Sequence, residues 1–221
     1  MINILCENSD VLVCVKPAGV LSQTDSRGGE SMVLLLSEQT GGNIFPVHRL
    51  DAQTGGIMVY AKTAKAAAEL SRQIASGEFK KEYLAVLHGV PEKKEDFLSD
   101  LLFKDSAKNK SYVVKRERKG VKKAELEYTL EDTAEIGGEK YSLVSVRLFT
   151  GRTHQIRVQF SHRGFPLAGD RKYGAKDNFK QLGLWSYKIR FKDPVSGNET
   201  EYVCPPENII ADYFDIKKPF R

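Results

Sequence analysis

Apolar positions along this chain fall mostly into short runs and alternations rather than into the three-and-four spacing of helices. Residues 2–7 and 10–16 read as two short strands closed by the turn Lys16-Pro17-Ala18-Gly19. Further strands are expected at 56–62, 82–88, 111–115, 124–130, 141–149, 184–191 and 199–204. In 124–131, Leu126, Tyr128 and Leu130 alternate with Glu125, Glu127 and Glu131, the period of a strand with one wet and one buried face. Val195-Ser196-Gly197-Asn198 separates the last two strands and makes them a hairpin.

Helical signals are fewer. Thr63 can cap a helix over 64–74, with Gly77 as its stop. A shorter helix is expected at 31–38 and a third at 153–162, ended by Gly164 and Pro166. Strands interrupted irregularly by helices predict an α+β fold, a mixed, largely antiparallel sheet with flanking helices and loops. At 221 residues, with no Pro/Ser-rich linker and no repeat, one domain over 1–221 is expected.

Composition narrows the class. With 41% hydrophobic and 29% charged residues the chain has the make-up of a folded protein, not of a disordered or collagen-like one. Its longest apolar runs, such as 11–15 and 32–36, fall far short of the roughly 20 residues of a membrane helix. Met1-Ile2-Asn3-Ile4 does not begin a secretory signal, so a cytoplasmic location and no membrane association are expected. Cys6, Cys14 and Cys204 cannot close a disulfide framework, and His48, His88, His154 and His162 are not grouped with them as a zinc site requires; no metal is expected. Cys14, inside an apolar run, reads as a buried thiol.

The net charge of +5 is unevenly spread. Residues 104–123 carry nine basic side chains against Asp105 and Glu117, and 151–172 carry five against Asp170, whereas 125–139 hold six acids and no base. Such segregation fits a basic face for a polyanion, although a solvated lysine-rich hairpin would give the same counts.

Three segments could carry chemistry. Gly28-Gly29, Gly41-Gly42 and Gly55-Gly56 lack the spacing of nucleotide-binding loops. By contrast, the non-periodic stretch 45–56 feeds straight into the apolar strand 57–61, which could aim Asp51 into a cleft; a surface ion pair with Arg49 is the plainer alternative. In the second segment, Thr150 to Gln159, Arg152 and Arg157 offer planar cationic forks, and a helix start offers N–H groups to a phosphate. If Arg157 met Asp51 in a partly dry cleft it would favour the ionised carboxylate, while a basic surface helix explains the same residues without function. The third segment, Lys80 to Gly89, puts Tyr83 early in a strand, where it could equally be a core aromatic with its hydroxyl at the rim.

Taken together and in order, these segments resemble the RluA-type family of RNA pseudouridine synthases. The matches are His48-Arg49-Leu50-Asp51 with Thr54 and Gly56; Lys81 and Tyr83 to Gly89; and Gly151-Arg152-Thr153-His154-Gln155-Ile156-Arg157 continuing into Gly164, Pro166, Gly169-Asp170 and Tyr173-Gly174. Lys16-Pro17-Ala18-Gly19 and Pro205-Pro206 extend the likeness to nearly the whole chain. The resemblance implies isomerisation of uridine to pseudouridine within rRNA or tRNA. Asp51 matches the catalytic aspartate, acting on the sugar directly or through a glycal-like intermediate. Tyr83 matches the residue that stacks on the target base, Arg157 the ion-pair partner of the aspartate, and Arg49 a residue that enters the RNA stack; Arg152 is a further substrate-binding candidate. Such chemistry is redox-neutral and consumes no nucleotide, so no cofactor is implied. A base removed from its helix needs a stacking surface, worth roughly 1–3 kcal/mol.

Two positions depart from the family, Gly55 where serine is usual and Gln159 where histidine is frequent. The chain begins close to the catalytic motifs, so no separate N-terminal RNA-binding domain is expected, and 104–123 is the first candidate for target selection. A monomer without an obligate protein partner is expected, since no unexplained apolar stripe calls for one. The rival readings are a non-catalytic RNA-binding protein on the same fold and a glycosidic hydrolase, which would ordinarily need a second carboxylate.

Overall fold

The computed structural model describes residues 1–25 and 28–216; the last five residues of the expected domain, 217–221, lie outside them. In chain order the elements are β1 (Asn3–Glu7), β2 (Val11–Lys16), α1 (Met32–Thr40), β3 (Phe45–Pro46), β4 (Gly55–Ala61), α2 (Ala64–Ser76), β5 (Lys80–His88), β6 (Glu95–Asp105), β7 (Lys110–Val114), β8 (Val121–Ile136), β9 (Glu139–Leu148), α3 (Gln155–His162), a 3-10 turn Arg171–Tyr173, β10 (Leu184–Lys192), β11 (Glu199–Val203) and α4 (Ile209–Tyr213). The architecture is the mixed, open, largely antiparallel sheet with few helices that the sequence pattern predicts. Contacts divide it into two compact units, Met1–Lys81 with Trp185–Pro206, and Glu82–Leu184 with the described residues from Glu207 on.

In the first unit β2 lies between β1 and β4, antiparallel to both, and β10 joins β4 in the parallel sense through Trp185↔Gly55 and Ser186↔Gly56. Every residue of β2 and β4 is buried, so these strands show runs rather than alternation. Helix α2 packs Ala66, Leu70 and Gln73 inward, with Thr63 Oγ1 accepting from the Ala66 N–H at 3.2 Å and Gly77 closing it at a φ of 75°. The buried Gln73 is fully used: its amide donates to Lys192 O and accepts from Lys192 N, at 2.8 and 2.9 Å. The expected β10–β11 hairpin forms, with Asp193 Oδ1 accepting from the Val195 and Ser196 N–H groups in its turn.

In the second unit the pairing order is β5-β9-β8-β6-β7, antiparallel throughout. The alternation read in 124–131 is realised in β8, where Ala124, Leu126 and Tyr128 are buried, but β8 runs on to Ile136 across a bulge near Leu130. Strand β6 was not expected. Its apolar residues come as Phe97-Leu98 and Leu101-Leu102-Phe103, a spacing that favours neither period, and pairing with β7 and β8 decides its conformation. The basic stretch 104–123 is thus the end of β6, all of β7, two turns and the start of β8.

The third expected helix is present but begins at Gln155, and it is not a basic surface helix. All six residues from Gln155 to Phe160 are buried. Its first N–H is already bonded to Arg152 O at 3.1 Å.

Candidate active site

In the first unit Asp51 lies half-buried between the buried Leu50 and the turn Ala52-Gln53, while Arg49 is exposed. The backbone around it is held on several sides. Thr54 N donates to Asp51 O at 3.0 Å, and the Leu50 N–H and C=O both bond Ser22 Oγ, at 3.0 and 2.9 Å. Ser22 O in turn accepts from Tyr60 Oη at 2.8 Å, tying the loop to β4. His48 is a structural residue: its Nε2 accepts from Val59 N at 3.1 Å, and burial with the nearby positive charge of Lys81 pushes its pKa down to about 3. It is neutral at any working pH, with the proton on Nδ1.

Lys16, where the expected strand 10–16 meets its turn, is completely buried. Its ammonium donates to Pro17 O at 2.9 Å, Val20 O at 2.6 Å and Ala52 O at 3.0 Å. Three donors meet three carbonyls, the inventory of a charged lysine. Gly19, at a φ of 95°, also donates to Ala52 O at 2.7 Å, so the 17–20 turn and the Asp51 loop are closed onto each other. Burial pushes the Lys16 pKa down to about 8, and the negative charge of Asp51 works in the opposite direction. Cys14, next to it in β2, is buried and its thiol is pushed up to about 12, which makes it inert at neutral pH.

Both glycines after Thr54 are explained by close packing. A Cβ on Gly55 would stand 2.4 Å from the Trp185 ring, and one on Gly56 2.3 Å from Ser186 O, with Gly56 also at a φ of 114°. The departure from serine at position 55 therefore has a steric cause within this chain, the indole of β10.

Tyr83, Arg152 and Arg157 belong to the second unit. Tyr83 is 5% exposed, on β5 opposite Val146 of β9. Arg152 is exposed, its Nε donating to Lys123 O at 2.9 Å, and its own N–H is taken by the Gln155 side chain at 3.0 Å. His154, which precedes α3, sits at a φ of 54°, a conformation that costs a non-glycine residue on the order of 1 kcal/mol or more. Its ring is held there by Tyr173 Oη at 2.9 Å from Nδ1.

Arg157 is buried and makes a two-point ion pair with Asp170, Nε to Oδ2 at 2.7 Å and Nη2 to Oδ1 at 2.8 Å, with its guanidinium 5.1 Å from the centre of the Tyr173 ring. The fork fixes the plane of the guanidinium and takes two of its five N–H donors. Asp170 appeared in the sequence only as part of a motif, without a role. Its loop is itself built: Gly169, at a φ of 75°, has Gln181 O only 2.1 Å from where a Cβ would stand. The Gly169 N–H donates to the Asp177 carboxylate, which also meets the ring of His88. Burial works against the charge of Asp177, but the Gly169 and Phe179 N–H groups and His88 outweigh it and hold its carboxyl below the usual value. The other departure, Gln159, is fully buried and donates to Asp100 Oδ2 at 2.7 Å, so it serves the packing of α3 on β6.

Among the described residues no cluster of three or more His, Cys, Asp or Glu side chains could hold a metal ion, and no helix is long and apolar enough to cross a membrane. The family described as RNA pseudouridylate synthase matches residues 10–162. A ribosomal large subunit pseudouridine synthase C from Buchnera aphidicola (subsp. Acyrthosiphon pisum, strain APS) is 31% identical over 96% of this chain and 69% of its own length. A tRNA pseudouridine synthase C from Haemophilus ducreyi is also 31% identical, over 78% of this chain and 74% of its own. The solved structure of human RNA pseudouridylate synthase domain containing 1 superimposes with a TM-score of 0.79 at 23% identity, covering 96% of this chain and 86% of that one, which speaks for the fold. On these grounds the chain belongs to the RNA pseudouridylate synthase family, isomerases that act on RNA.

Proposed function

We propose that this enzyme converts uridine to pseudouridine in ribosomal or transfer RNA with Asp51 as its essential carboxylate. The observation that carries the reading is the setting of Asp51: a partly accessible acid on a loop that Lys16, Ser22 and Gly19 hold fixed. The related ribosomal and transfer RNA synthases supply the two substrate classes. In the reaction the N1–C1′ bond breaks, the base turns, and a C5–C1′ bond forms as the C5 proton leaves and N1 regains one. Asp51 acts at the ribose, Tyr83 stacks on the detached base, Arg157 provides the fixed positive charge for the carboxylate, and Arg49 and Arg152 bind the RNA. The two units serve one catalytic domain, and the enzyme works as a cytoplasmic monomer without a cofactor.

Hydrolysis, which ordinarily uses a second carboxylate, is disfavoured because the other acid in the quoted motifs, Asp170, is engaged by the guanidinium of Arg157. The deciding experiment is tritium release from unmodified ribosomal and transfer RNA labelled at C5 of uridine. Wild-type protein should release tritium, and Asp51→Ala should lose roughly a thousandfold or more of that rate while still binding RNA. Equal release by the variant would remove Asp51 from the chemistry, and free uracil among the products would favour hydrolysis.

A further inference from the structure

The second unit holds a groove of about 460 Å³ that the proposed chemistry does not use, bounded by β7, the end of α3 and the 3-10 turn. Its lining includes Lys110, Tyr112, Arg171, Lys172 and Tyr173 and contains no carboxylate. Lys110 Nζ is 5.1 Å from the centre of the Tyr173 ring and 5.7 Å from that of Tyr112, so aromatic faces, not an acid, hold it. Lys172 Nζ donates to the backbone oxygen of Asn109 at 2.9 Å, and Arg171 is exposed. Among the described residues no acid pairs with any of these three cations, whereas acids do pair with Lys93, Lys123 and Arg163 elsewhere in this unit. Three uncompensated positive charges around a nucleotide-sized concavity call for an anion. Tyr112, 37% exposed on the edge strand, adds a ring face that an inorganic anion would not need.

We propose that this groove binds the phosphodiester backbone of a stretch of the substrate RNA, with Lys110, Arg171 and Lys172 on phosphates and Tyr112 under a base. The assignment rests on RNA being the substrate. A groove without a carboxylate is not where the glycosidic bond is broken, so it holds another part of the RNA. It is also connected to the family motif. Tyr173, its floor, accepts from Ser111 N at 2.8 Å, meets His154 Nδ1 at 2.9 Å and lies against the Arg157 guanidinium. A strand seated here therefore bears on the residues that orient Arg157.

The test compares wild type with Lys110→Gln/Arg171→Gln/Lys172→Gln, with Tyr112→Ala, and with a control of equal charge change, Lys93→Gln/Lys94→Gln/Lys140→Gln. A labelled oligouridylate is titrated over a series of KCl concentrations, and thermal melts verify folding. The groove triple variant should bind roughly tenfold more weakly and flatten the slope of log Kd against log salt by about 2, as loss of three single-strand phosphate contacts requires. Tyr112→Ala should weaken binding about fivefold with the slope unchanged. Wild-type affinity and slope in the groove triple variant, or an equal loss in the control, would overturn the proposal. Displacement of the oligonucleotide by inorganic phosphate at matched ionic strength would overturn it too, by making the groove a free-anion site. Tritium release by wild type, run in parallel, separates the two readings: conversion with no effect of the groove variant sinks the groove alone, and absence of conversion sinks the proposed reaction while the binding data still decide the groove.

Discussion

Asp51 and Arg157 sit in contrasting supports. The loop of Asp51 is held by its backbone: carbonyls and N–H groups of residues 17–20 and 50–54 are bonded to Lys16, Ser22 and Gly19, and the carboxylate stays partly accessible. Arg157 is held by its side chain, buried on α3 and locked to Asp170 by two charged hydrogen bonds. Backbone bonds of this kind fix a loop without drawing on the side chain that it carries. A group that supplies a fixed charge can be immobilised through the charge itself. Removing support should therefore show up differently at the two places.

The largest effect is expected at the buried pair. Asp170→Ala removes both charged hydrogen bonds that fix the buried guanidinium of Arg157 and should cost about 3–5 kcal/mol in denaturant unfolding, together with activity. Asp51→Ala, by contrast, should shift stability by about 1 kcal/mol or less. Equal losses would erase the contrast. Next comes Lys16→Met, which leaves three carbonyls without their donor and should cost roughly 3 kcal/mol. Lys16 also gives the contrast a pH signature. Because its folded pKa of about 8 is below its unfolded value, the unfolded chain binds more protons above pH 8, so wild-type stability should rise with pH up to the ordinary lysine range. Activity should fall over the same rise, as the ammonium becomes an amine with one donor too few. A rise in stability that persists in Lys16→Met would belong to another group.

A smaller loss tests the glycine that opens β4. Gly55→Ser, which restores the residue usual in the family, should cost about 1–3 kcal/mol because its Cβ meets the Trp185 ring. Combining it with Trp185→Leu should recover part of that loss, and additive costs in a double-mutant cycle would reject the steric account. The smallest effect belongs to Asp177. Its carboxyl is held below the usual value, so its contribution is complete above about pH 3.9 and disappears as pH falls further. Asp177→Asn should flatten that acid limb in an unfolding series; an unchanged limb would assign it elsewhere.

What could be read from the sequence was what is local or carried by a family motif. Thr63 and Gly77 delimit α2 within two residues because a cap and a left-handed stop act on their immediate neighbours. The alternation around Leu126 and Tyr128 gave β8 its inward face. Strand β6 escaped because its apolar residues are paired, and its identity comes from strands on either side. Asp170 could be quoted but not assigned, since nothing 13 residues away in sequence announces an ion pair made around a tight turn. The indole that excludes serine from position 55 comes from a strand 130 residues later, and Lys16 looked like the end of a strand. In each case the deciding neighbour is distant in sequence.

That distance has a temporal side for the Asp51 loop. Its bonds join Ser22 to Leu50, Lys16 to Ala52 and Tyr60 to Ser22, spans of 28, 36 and 38 residues. All of them close the chain between β2 and β4 onto itself or onto those strands. A nascent or locally opened chain carries the same aspartate, but not the arrangement that holds it, so the enzyme gains its capacity to act on RNA only with the completed fold and surrenders it at the first local opening of β2 from β4.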